Sequence, residues 1–267
     1  MNYTKNQNKK VTAGVVQFDV APGEISSNLE KAVSGIKSLS RSNADIVLLP
    51  ELWSCGFDVP NMAGHAGKTP EILLRLKTLA VKYHMLIAGS LPEKNGESLY
   101  NTMFLIDSDG SIAGAYRKVH LFVPLCENEC FSPGDRLICC NTSIGKIGLA
   151  VCYDLRFPEV IRASAIKGAW LVVVSAQWPL VRMGHWDTLL RARAIENQIF
   201  VMGANACGVA KSPQFSGHSA IISPSGKIMA NAGTRPGHAA TEINPDDVSK
   251  ARKLFSSIYE RIPEAYE

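Results

Sequence analysis

Apolar and polar residues follow one another along this chain in blocks that predict an alternation of buried strands and amphipathic helices. The first strand is VTAGVVQFDV, residues 11–20, and the first helix is predicted from Ser27 to Leu39, where apolar residues recur every three or four positions. A capping box formed by Ser27 and Glu30 is predicted to start that helix. The next strand, ADIVLLPE, is apolar as far as Pro50 and Glu51, which is typical of a strand buried on both faces.

The remainder of the first half continues this alternation. The segment TPEILLRLKTLAVKY predicts a helix with Thr69 as its N-cap and Pro70 at its first position. The strand MLIAGS follows it, and YNTMFLIDSDGSIAGAY predicts two strands around an Asp-Ser-Asp-Gly turn. Residues 117–135 show no clear periodicity, and we expect them to form a loop that carries function.

The second half repeats the order of elements in the first. IGLAVC corresponds to GVVQF, PEVIRASAIKG corresponds to the Ser27 helix, and WLVVVSAQW corresponds to DIVLLPELW. The helix HWDTLLRARAIENQ, the strand IFVMGAN and the hairpin HSAIISPSGKIMAN complete the parallel. The chain therefore predicts an α/β fold, a four-layer α-β-β-α sandwich built from two similar halves. Residues 11–267 are predicted to form a single domain, and residues 1–10 a loosely ordered tail.

Cys152 is predicted to lie at a tight junction between a strand and a helix. The strand runs from a glycine turn through Ile147 to Val151, and the next helix begins at Pro158 and Glu159, because proline and an acid both suit the first turn. A nucleophile that must stand clear of a sheet is placed at such a junction. A buried structural cysteine is the ordinary alternative, so the interpretation depends on other residues.

Composition excludes several classes of function. The 267 residues are 46% hydrophobic and 19% charged, with a net charge of +4 that is spread along the chain, so no nucleic-acid surface is predicted. No segment has the apolar length to span a membrane, and the polar N-terminus lacks a secretory signal, so we expect a cytoplasmic protein. The seven cysteines contain no C-x-x-C pair and have no histidines at ligand spacing, so no metal site is predicted.

Three residues together supply the functions that acyl transfer needs. Cys152 offers a thiol nucleophile, Glu51 at the end of an apolar strand offers a carboxylate that moves a proton, and Lys118 in AYRKVHLF offers a cation for an oxyanion. Taken alone, Glu51 is more typical of an ion pair or a helix-capping acceptor, and Lys118 of a solvated basic loop. His120 permits a rival Cys-His pairing that sequence spacing does not exclude.

These residues stand in motifs that resemble the nitrilase or carbon-nitrogen hydrolase superfamily. PELW, YRKVHLF and VCYDLRFPE match its signatures in order and spacing, and SAQWP, HWDTLLRARAIENQ, GHSAIISPSG and YERIPEAYE extend the likeness from about residue 11 to the end. The sequence is most similar to the ω-amidase branch, which contains 2-oxoglutaramate amidase. This resemblance implies the four-layer sandwich, a homodimer joined through helices near the site, and no cofactor.

Carried over by position, the resemblance implies that Cys152 is the nucleophile, Glu51 the general base and Lys118 the oxyanion-stabilising cation. The family has a second glutamate after the lysine loop, commonly preceded by glycine. Glu127 is the preferred candidate and Glu129 the alternative, because Cys126 occupies the expected glycine position. A carboxylate beside Lys118 would keep the ammonium charged and fix its direction.

The expected activity is hydrolysis of a small carboxylate-bearing amide, with release of ammonia. Arg156 is suited to bind the substrate carboxylate, or else holds the loop through Asp154 or a backbone carbonyl. The backbone N–H of Tyr153 is expected to assist Lys118. Four aromatic residues are candidates for the pocket walls, although aromatic residues at strand ends more often serve simple packing: Trp53, Phe57, Tyr153 and Trp178. Arg191, Arg193 and Glu196 are expected to tie helices or subunits together outside the site.

Alternative functions remain open at this stage. Another carbon-nitrogen hydrolase activity, on a nitrile, a carbamoyl compound or an aliphatic amide, is one. A non-catalytic binding or redox protein that uses Cys152 is another, although it would have no need of Glu51 and Lys118 in matching contexts. Nitrile hydrolysis is less favoured, because the closest resemblance is to amidases.

Overall fold

A computed structural model describes residues 10–208 and 214–265. The strands are β1 (Val11–Gln17), β2 (Ile46–Leu48), β3 (Leu86–Asn95), β4 (Ser98–Ile106), β5 (Ile112–Arg117), β6 (Cys139–Thr142), β7 (Gly145–Val151), β8 (Leu171–Ala176), β9 (Phe200–Asn205), β10 (Cys207–Gly208), β11 (Phe215–Ser216), β12 (Ala220–Ile222), β13 (Ile228–Asn231) and β14 (Gly237–Ile243). The helices are α1 (Ile25–Ser40), α2 (Met62–Tyr83), α3 (Glu127–Cys130), α4 (Pro158–Ile166), α5 (Met183–Asn197) and α6 (Asp246–Leu254).

Within the described ranges, two six-stranded sheets have the same internal order. The first is β14-β1-β2-β3-β4-β5 and the second is β6-β7-β8-β9-β12-β13. In each sheet three consecutive strands are parallel, and the strands on either side of that group are antiparallel. The predicted duplication is therefore confirmed. One edge strand of the first sheet, β14, comes from the C-terminal part of the chain.

The sheets pack face to face, and helices cover their outer faces. Strands β1 and β2 contact β9 and β8, α1 and α2 pack on the first sheet, and α4 and α5 pack on the second. One cluster of buried apolar side chains fills the space between the sheets and below α4 and α5, and another lies below α1 and α2. The predicted four-layer α-β-β-α sandwich is confirmed.

Two predicted helix starts are wrong. Helix α1 begins at Ile25 after a turn at Gly23, so Ser27 lies inside it and the N-terminus has no side-chain cap. Asn28 is buried in that first turn, where it bonds the backbone of Ala21 and Ser54.

Helix α2 begins at Met62, and Pro70 lies in its interior instead of at its first position. Met62 and Ala66 bury their side chains about two turns and one turn before Pro70, and this tertiary packing extends the helix beyond the predicted start. Thr69 Oγ1 donates to the carbonyl oxygen of Pro92 at 2.5 Å and therefore ties α2 to β3 instead of capping a helix.

The described residues begin at the last residue of the predicted tail and end two residues before the predicted C-terminal limit of the domain. Residues 1–9 of the predicted tail lie outside the described residues, and so do residues 266 and 267. Lys10 is exposed, and its ammonium lies 2.6 Å from Glu242 Oε1 of β14. None of the described helices has the length and apolar character needed to cross a bilayer.

Candidate active site

The chain turns sharply at Cys152, where β7 ends. Cys152 is the first residue of a 3-10 turn, Cys152–Arg156, and its φ of +45° is uncommon for a residue with a side chain. The surroundings must hold such a conformation, and it is typical of functional positions. Helix α4 then begins at Pro158, as the sequence predicts.

Glu51 lies three residues beyond β2, and its side chain is fully buried. Its Oε2 accepts a hydrogen bond from the backbone N–H of Gln177 at 2.9 Å, and the Gln177 side chain donates to the Glu51 carbonyl oxygen at 2.9 Å. Because Gln177 directly follows β8, this pairing joins corresponding strand ends of the two sheets. Gln177 was not predicted from the sequence, where its signal is a polar residue directly after the apolar run of β8.

The buried ammonium of Lys118 lies between two carboxylates. Its Nζ is 2.8 Å from Glu51 Oε1, 2.9 Å from Glu127 Oε1 and 2.7 Å from Glu127 Oε2. Glu127 is fully buried, whereas Glu129 is exposed. The structure therefore brings Glu127, and not Glu129, to Lys118.

The backbone conformation of Cys126, directly before Glu127, explains why this position favours glycine. Cys126 has a φ of +54°, in the left-handed region that glycine adopts most easily. The turn places Glu127 at the start of α3, and its Oε2 also accepts the backbone N–H of Phe122 at 2.7 Å. A side chain at Cys126 is therefore accommodated without losing the position of Glu127.

Asn101 of β4 connects the two carboxylates and was missed by the sequence analysis. Its Nδ2 donates to Glu51 Oε1 at 2.8 Å and to Glu127 Oε1 at 3.0 Å. Its backbone carbonyl also accepts the N–H of Lys118 at 2.9 Å. The available signal is an asparagine two residues before the apolar run of β4, since a buried amide requires partners.

Burial and neighbouring charges together raise the pKa values of Glu51, Lys118 and Cys152. Burial raises the pKa of Glu51, and the charge of Glu127 adds to that effect, although Lys118 opposes it. Burial by itself would lower the pKa of Lys118, but Glu51 and Glu127 outweigh it and raise that pKa above its ordinary value. Burial and the neighbouring Glu51 raise the pKa of Cys152 well above its ordinary value, so its resting form is a neutral thiol.

Glu51 lies close enough to that thiol to raise its pKa, so an acceptor for the thiol proton is already nearby. A buried thiol is a poor nucleophile until it loses its proton. The cluster can therefore form the thiolate as it attacks, with Lys118 beside the site of attack.

His120 contacts Asp154 instead of Cys152. Its Nδ1 lies 2.8 Å from Asp154 Oδ1, and its ring stacks on Phe157 with a centroid distance of 3.6 Å. Asp154 is fully buried and also accepts the Tyr116 hydroxyl at 2.8 Å and the backbone N–H of Val151 at 3.0 Å. Asp154 therefore joins the end of β5 to the turn that carries Cys152.

A single pocket opens onto Cys152, Glu51 and Lys118. Its lining contains the three predicted catalytic residues, Glu51, Lys118 and Cys152. It also contains four of the five predicted wall and binding residues, Phe57, Tyr153, Arg156 and Trp178, whereas Trp53 is fully buried in the apolar cluster below α1 and α2. The remaining lining residues were not predicted: Phe122, Leu125, Gln177, Pro179 and Arg182.

Arg156 points its charge towards the aromatic side of this pocket. The guanidinium carbon lies 4.7 Å from the Trp178 ring centroid and 5.9 Å from that of Tyr153. Both terminal nitrogens lie 3.3 Å from His185 Nδ1, and no carboxylate of the described chain pairs with them. Asp154 is occupied by other donors, so the alternative in which it holds the Arg156 side chain does not apply.

Three charged residues of α5, Arg191, Arg193 and Glu196, make contacts that hold the fold together. Arg193 donates to the carbonyl oxygens of Leu155 and Arg156, both at 3.0 Å, and pairs with Glu196 at 3.1 Å. Arg191 donates to the Gly226 carbonyl at 3.0 Å. Arg193 thus holds the backbone of the turn that begins at Cys152, and none of these three charged side chains lines the pocket.

The described residues hold no group of three or more His, Cys, Asp or Glu side chains arranged to bind a metal ion. All seven cysteines are free thiols, and Cys126 is the exposed one.

Comparison with known proteins places this fold and site in one family. The carbon-nitrogen hydrolase family profile matches residues 12–253. The 2-oxoglutaramate amidase of Bacillus subtilis is 38% identical over 247 residues, which is 91% of this chain and 95% of that protein. The omega-amidase NIT2 of Xenopus tropicalis is 33% identical over 255 residues, which is 91% of this chain and 92% of that protein.

A solved structure shows the same fold and a cysteine of known reactivity. A Glu-to-Gln variant of the amidase from Nesterenkonia sp. AN1 superposes with a TM-score of 0.86 at 26% identity, covering 100% of this chain and 98% of that one. In that structure the acetamide moiety of fluoroacetamide is covalently attached to the active-site cysteine. This chain belongs to the carbon-nitrogen hydrolase family, and it is an enzyme that acts on amides.

Proposed function

We propose that this enzyme hydrolyses the ω-amide of a small 2-oxo acid, such as 2-oxoglutaramate, to the dicarboxylic acid and ammonia. The observation that carries the proposal is the combination of one pocket and one charge pattern. Cys152, Glu51 and Lys118 line it together with Arg156, whose guanidinium has no carboxylate partner in the described part of the chain. The similarity to a 2-oxoglutaramate amidase and to an omega-amidase supports this choice of substrate.

Acylation begins when Cys152 Sγ attacks the amide carbon and the thiol proton passes to the Glu51 carboxylate. Negative charge develops on the amide oxygen, and Lys118 Nζ and the backbone N–H of Tyr153 stabilise it. Glu51 then returns the proton to the leaving nitrogen as the C–N bond breaks. Ammonia leaves, and the acyl group remains on Cys152 as a thioester.

Deacylation uses the same groups in reverse. Water attacks the thioester carbon, Glu51 accepts a proton from it, and Lys118 again stabilises the oxyanion. Collapse breaks the C–S bond, the sulfur regains its proton from Glu51, and the carboxylic acid leaves. The cysteine adduct in the related amidase supports a cysteine nucleophile in this chain.

Glu127 orients Lys118 in this mechanism and does not exchange protons with the substrate. An ammonium has three donors, and one bifurcated proton can serve both oxygens of Glu127. A second proton faces Glu51, and the third is left for the oxyanion. Phe57 and Trp178 form apolar walls that exclude water, which strengthens the electrostatic interactions inside the pocket.

We further propose a cytoplasmic homodimer with residues 11–267 as one domain. The buried apolar cluster shared by both sheets supports a single domain, and the seven free thiols support a reducing compartment.

Four large apolar side chains near the C-terminus are exposed, which supports a contact with a second copy: Leu254, Phe255, Tyr259 and Ile262. Light scattering at several concentrations tests the dimer, and cell fractionation tests the compartment.

Ammonia release from a matched panel tests the substrate. The panel contains 2-oxoglutaramate, 2-oxosuccinamate, the uncharged pentanamide and a simple nitrile. We expect the oxo-acid amides to have the highest kcat/KM, and Arg156→Gln to remove their advantage over pentanamide. Equal kcat/KM for pentanamide and 2-oxoglutaramate in the unmodified enzyme would contradict the proposal, and faster turnover of the nitrile would favour nitrile hydrolysis.

A further inference from the structure

Arg182 lies in the same pocket as the reactive thiol, and neither the motifs nor the mechanism gives it a role. It ends a 3-10 turn, Leu180–Arg182, directly before α5. The turn is held by its neighbours, because Trp178 Nε1 donates to the Arg182 carbonyl at 2.8 Å and Leu180 N–H donates to the Gln214 carbonyl at 2.8 Å. Its backbone is therefore fixed, while its side chain is exposed.

The guanidinium of Arg182 has no anionic partner in the described part of the chain. Its contact is with an aromatic face, where the guanidinium carbon lies 5.8 Å from the Phe122 ring centroid. Arg156 rests in the same manner on Trp178, whose indole N–H holds the Arg182 backbone. Both guanidinium groups thus lie against the aromatic wall. Arg156 also contacts His185 at 3.3 Å, and neither guanidinium is paired with a carboxylate of the described residues.

The charges that line the pocket do not balance. Glu51 is its acidic lining residue, and that carboxylate and Glu127 both face Lys118, at 2.8 Å and 2.7 Å. Arg156 and Arg182 therefore place two positive charges in the pocket that have no carboxylate partner in the described part of the chain. One guanidinium satisfies one carboxylate through two parallel hydrogen bonds, so a second one requires further acceptor atoms.

A 2-oxo acid offers these additional acceptors. Its keto oxygen lies next to the carboxylate, so its head presents more acceptor positions than the head of a simple carboxylic acid. We propose that Arg182 is a specificity-determining residue, which binds the 2-oxo carboxylate head of the substrate together with Arg156 and selects 2-oxo acid amides over amides of simple acids. This inference rests on the proposed function, and it identifies Arg182 as a group that recognises the 2-oxo acid.

The test compares three amides with the same five-carbon length: 2-oxoglutaramate, glutaramate, which lacks the keto oxygen, and the uncharged pentanamide. We expect Arg182→Gln to lower the ratio of kcat/KM for 2-oxoglutaramate to that for pentanamide on the order of 10- to 100-fold, because a charge-assisted hydrogen bond is lost. Most of this change should appear in KM. The ratio for glutaramate should fall less.

Two further variants make the result specific. Arg182→Lys keeps the charge without the planar fork, so it should restore part of the preference for 2-oxoglutaramate over pentanamide and less of the preference over glutaramate. Arg191→Gln removes an arginine of α5 that bonds Gly226 outside the pocket, and it should leave both ratios unchanged. It therefore controls for a general loss of positive charge.

The outcomes separate this inference from the proposed function. If the unmodified enzyme prefers 2-oxoglutaramate and Arg182→Gln keeps the full preference, Arg182 is not a determinant and the proposed function stands. An equal loss for all three amides would mean that Arg182 acts on the framework, which also overturns the inference. If the unmodified enzyme does not hydrolyse 2-oxoglutaramate, the proposed function fails and the inference fails with it.

Discussion

Lys118 and Glu127 form a buried ion pair in which the ammonium nitrogen lies 2.7 Å and 2.9 Å from the two oxygens of one carboxylate. Glu51 approaches the same ammonium at 2.8 Å, so one cation lies between two acids that are both hidden from water. Carboxylates this close repel each other unless a cation and hydrogen-bond donors lie between them. Lys118 and Asn101 fill that role here.

The Glu127→Gln variant tests the orienting role of this ion pair. Glutamine keeps the shape of Glu127 but removes the charge that fixes Lys118, so we expect kcat to fall on the order of 100-fold or more. Breaking a buried pair also lowers stability, by about 3–5 kcal/mol. Steady-state kinetics and urea unfolding measure the two effects, and the exposed Glu129→Gln serves as the matched control. A stronger kinetic effect at Glu129 would contradict the assignment.

The contrast between His120 and Glu51 tests which group moves the thiol proton. Glu51→Gln should reduce turnover by about 10²- to 10⁴-fold, the range for losing a general base. His120→Ala should reduce it less than about 10-fold, because the histidine ring bonds Asp154 and not the thiol. Alkylation of Cys152 by iodoacetamide, followed by mass spectrometry, reports whether the thiol remains accessible. An inactive His120→Ala variant beside an active Glu51→Gln variant would reinstate the Cys-His alternative.

The pH dependence of kcat/KM should reflect the raised pKa of Glu51. Glu51 must be ionised to accept the thiol proton, and its pKa lies above 4.5, the ordinary value for a glutamate. Activity should therefore be lost on acidification at a pH above 4.5, where an exposed glutamate would still be ionised. Because the charge of Glu127 raises this pKa, the acid limb of residual activity in Glu127→Gln should move to lower pH. An acid limb at 4.5 in the unmodified enzyme would be inconsistent with a buried base.

On the alkaline side of the same profile, kcat/KM should not fall near pH 10.5, the ordinary pKa of a lysine, through deprotonation of Lys118. The two carboxylates raise its pKa above that value, so the ammonium keeps its proton where an isolated lysine loses it. Loss of kcat/KM with a midpoint at 10.5, in an enzyme shown by circular dichroism to remain folded, would contradict this electrostatic account.

Close contact between the two sheets can be tested at Gly114 of β5. A Cβ atom there would collide with Cys140 Sγ of β6, so Gly114→Ala should destabilise the fold by about 1–3 kcal/mol. Cys140→Ala removes that sulfur, and the double variant should recover most of the loss. Gly67→Ala lies on α2 in open space and should stabilise by about 0.5–1 kcal/mol. Additive free energies of unfolding for Gly114→Ala and Cys140→Ala would rule out the collision.

The sequence by itself determined the layers, the duplication and the chemical groups of the site. Apolar runs that end in Glu51 and Cys152 predict buried strands with reactive side chains at their ends, because burial and periodicity are local properties of the chain. The strand-to-helix junction with Pro158 at the first helical position is also local, and it is present in the structure. The motifs around Glu51, Lys118 and Cys152 predicted the family, and the comparisons confirm it.

Only the tertiary structure decided contacts between residues far apart in the chain. Helix α2 extends to Met62 because tertiary packing outweighs the start signal at Thr69 and Pro70. Asn101 and Gln177 are polar residues near apolar runs. The neighbouring sequence does not predict that they bond Glu51, because Glu51 follows a different strand. Arg182 reaches the pocket through a turn held by Trp178 and Gln214, so its place beside the reactive thiol depends on contacts with a segment more than thirty residues further along the chain.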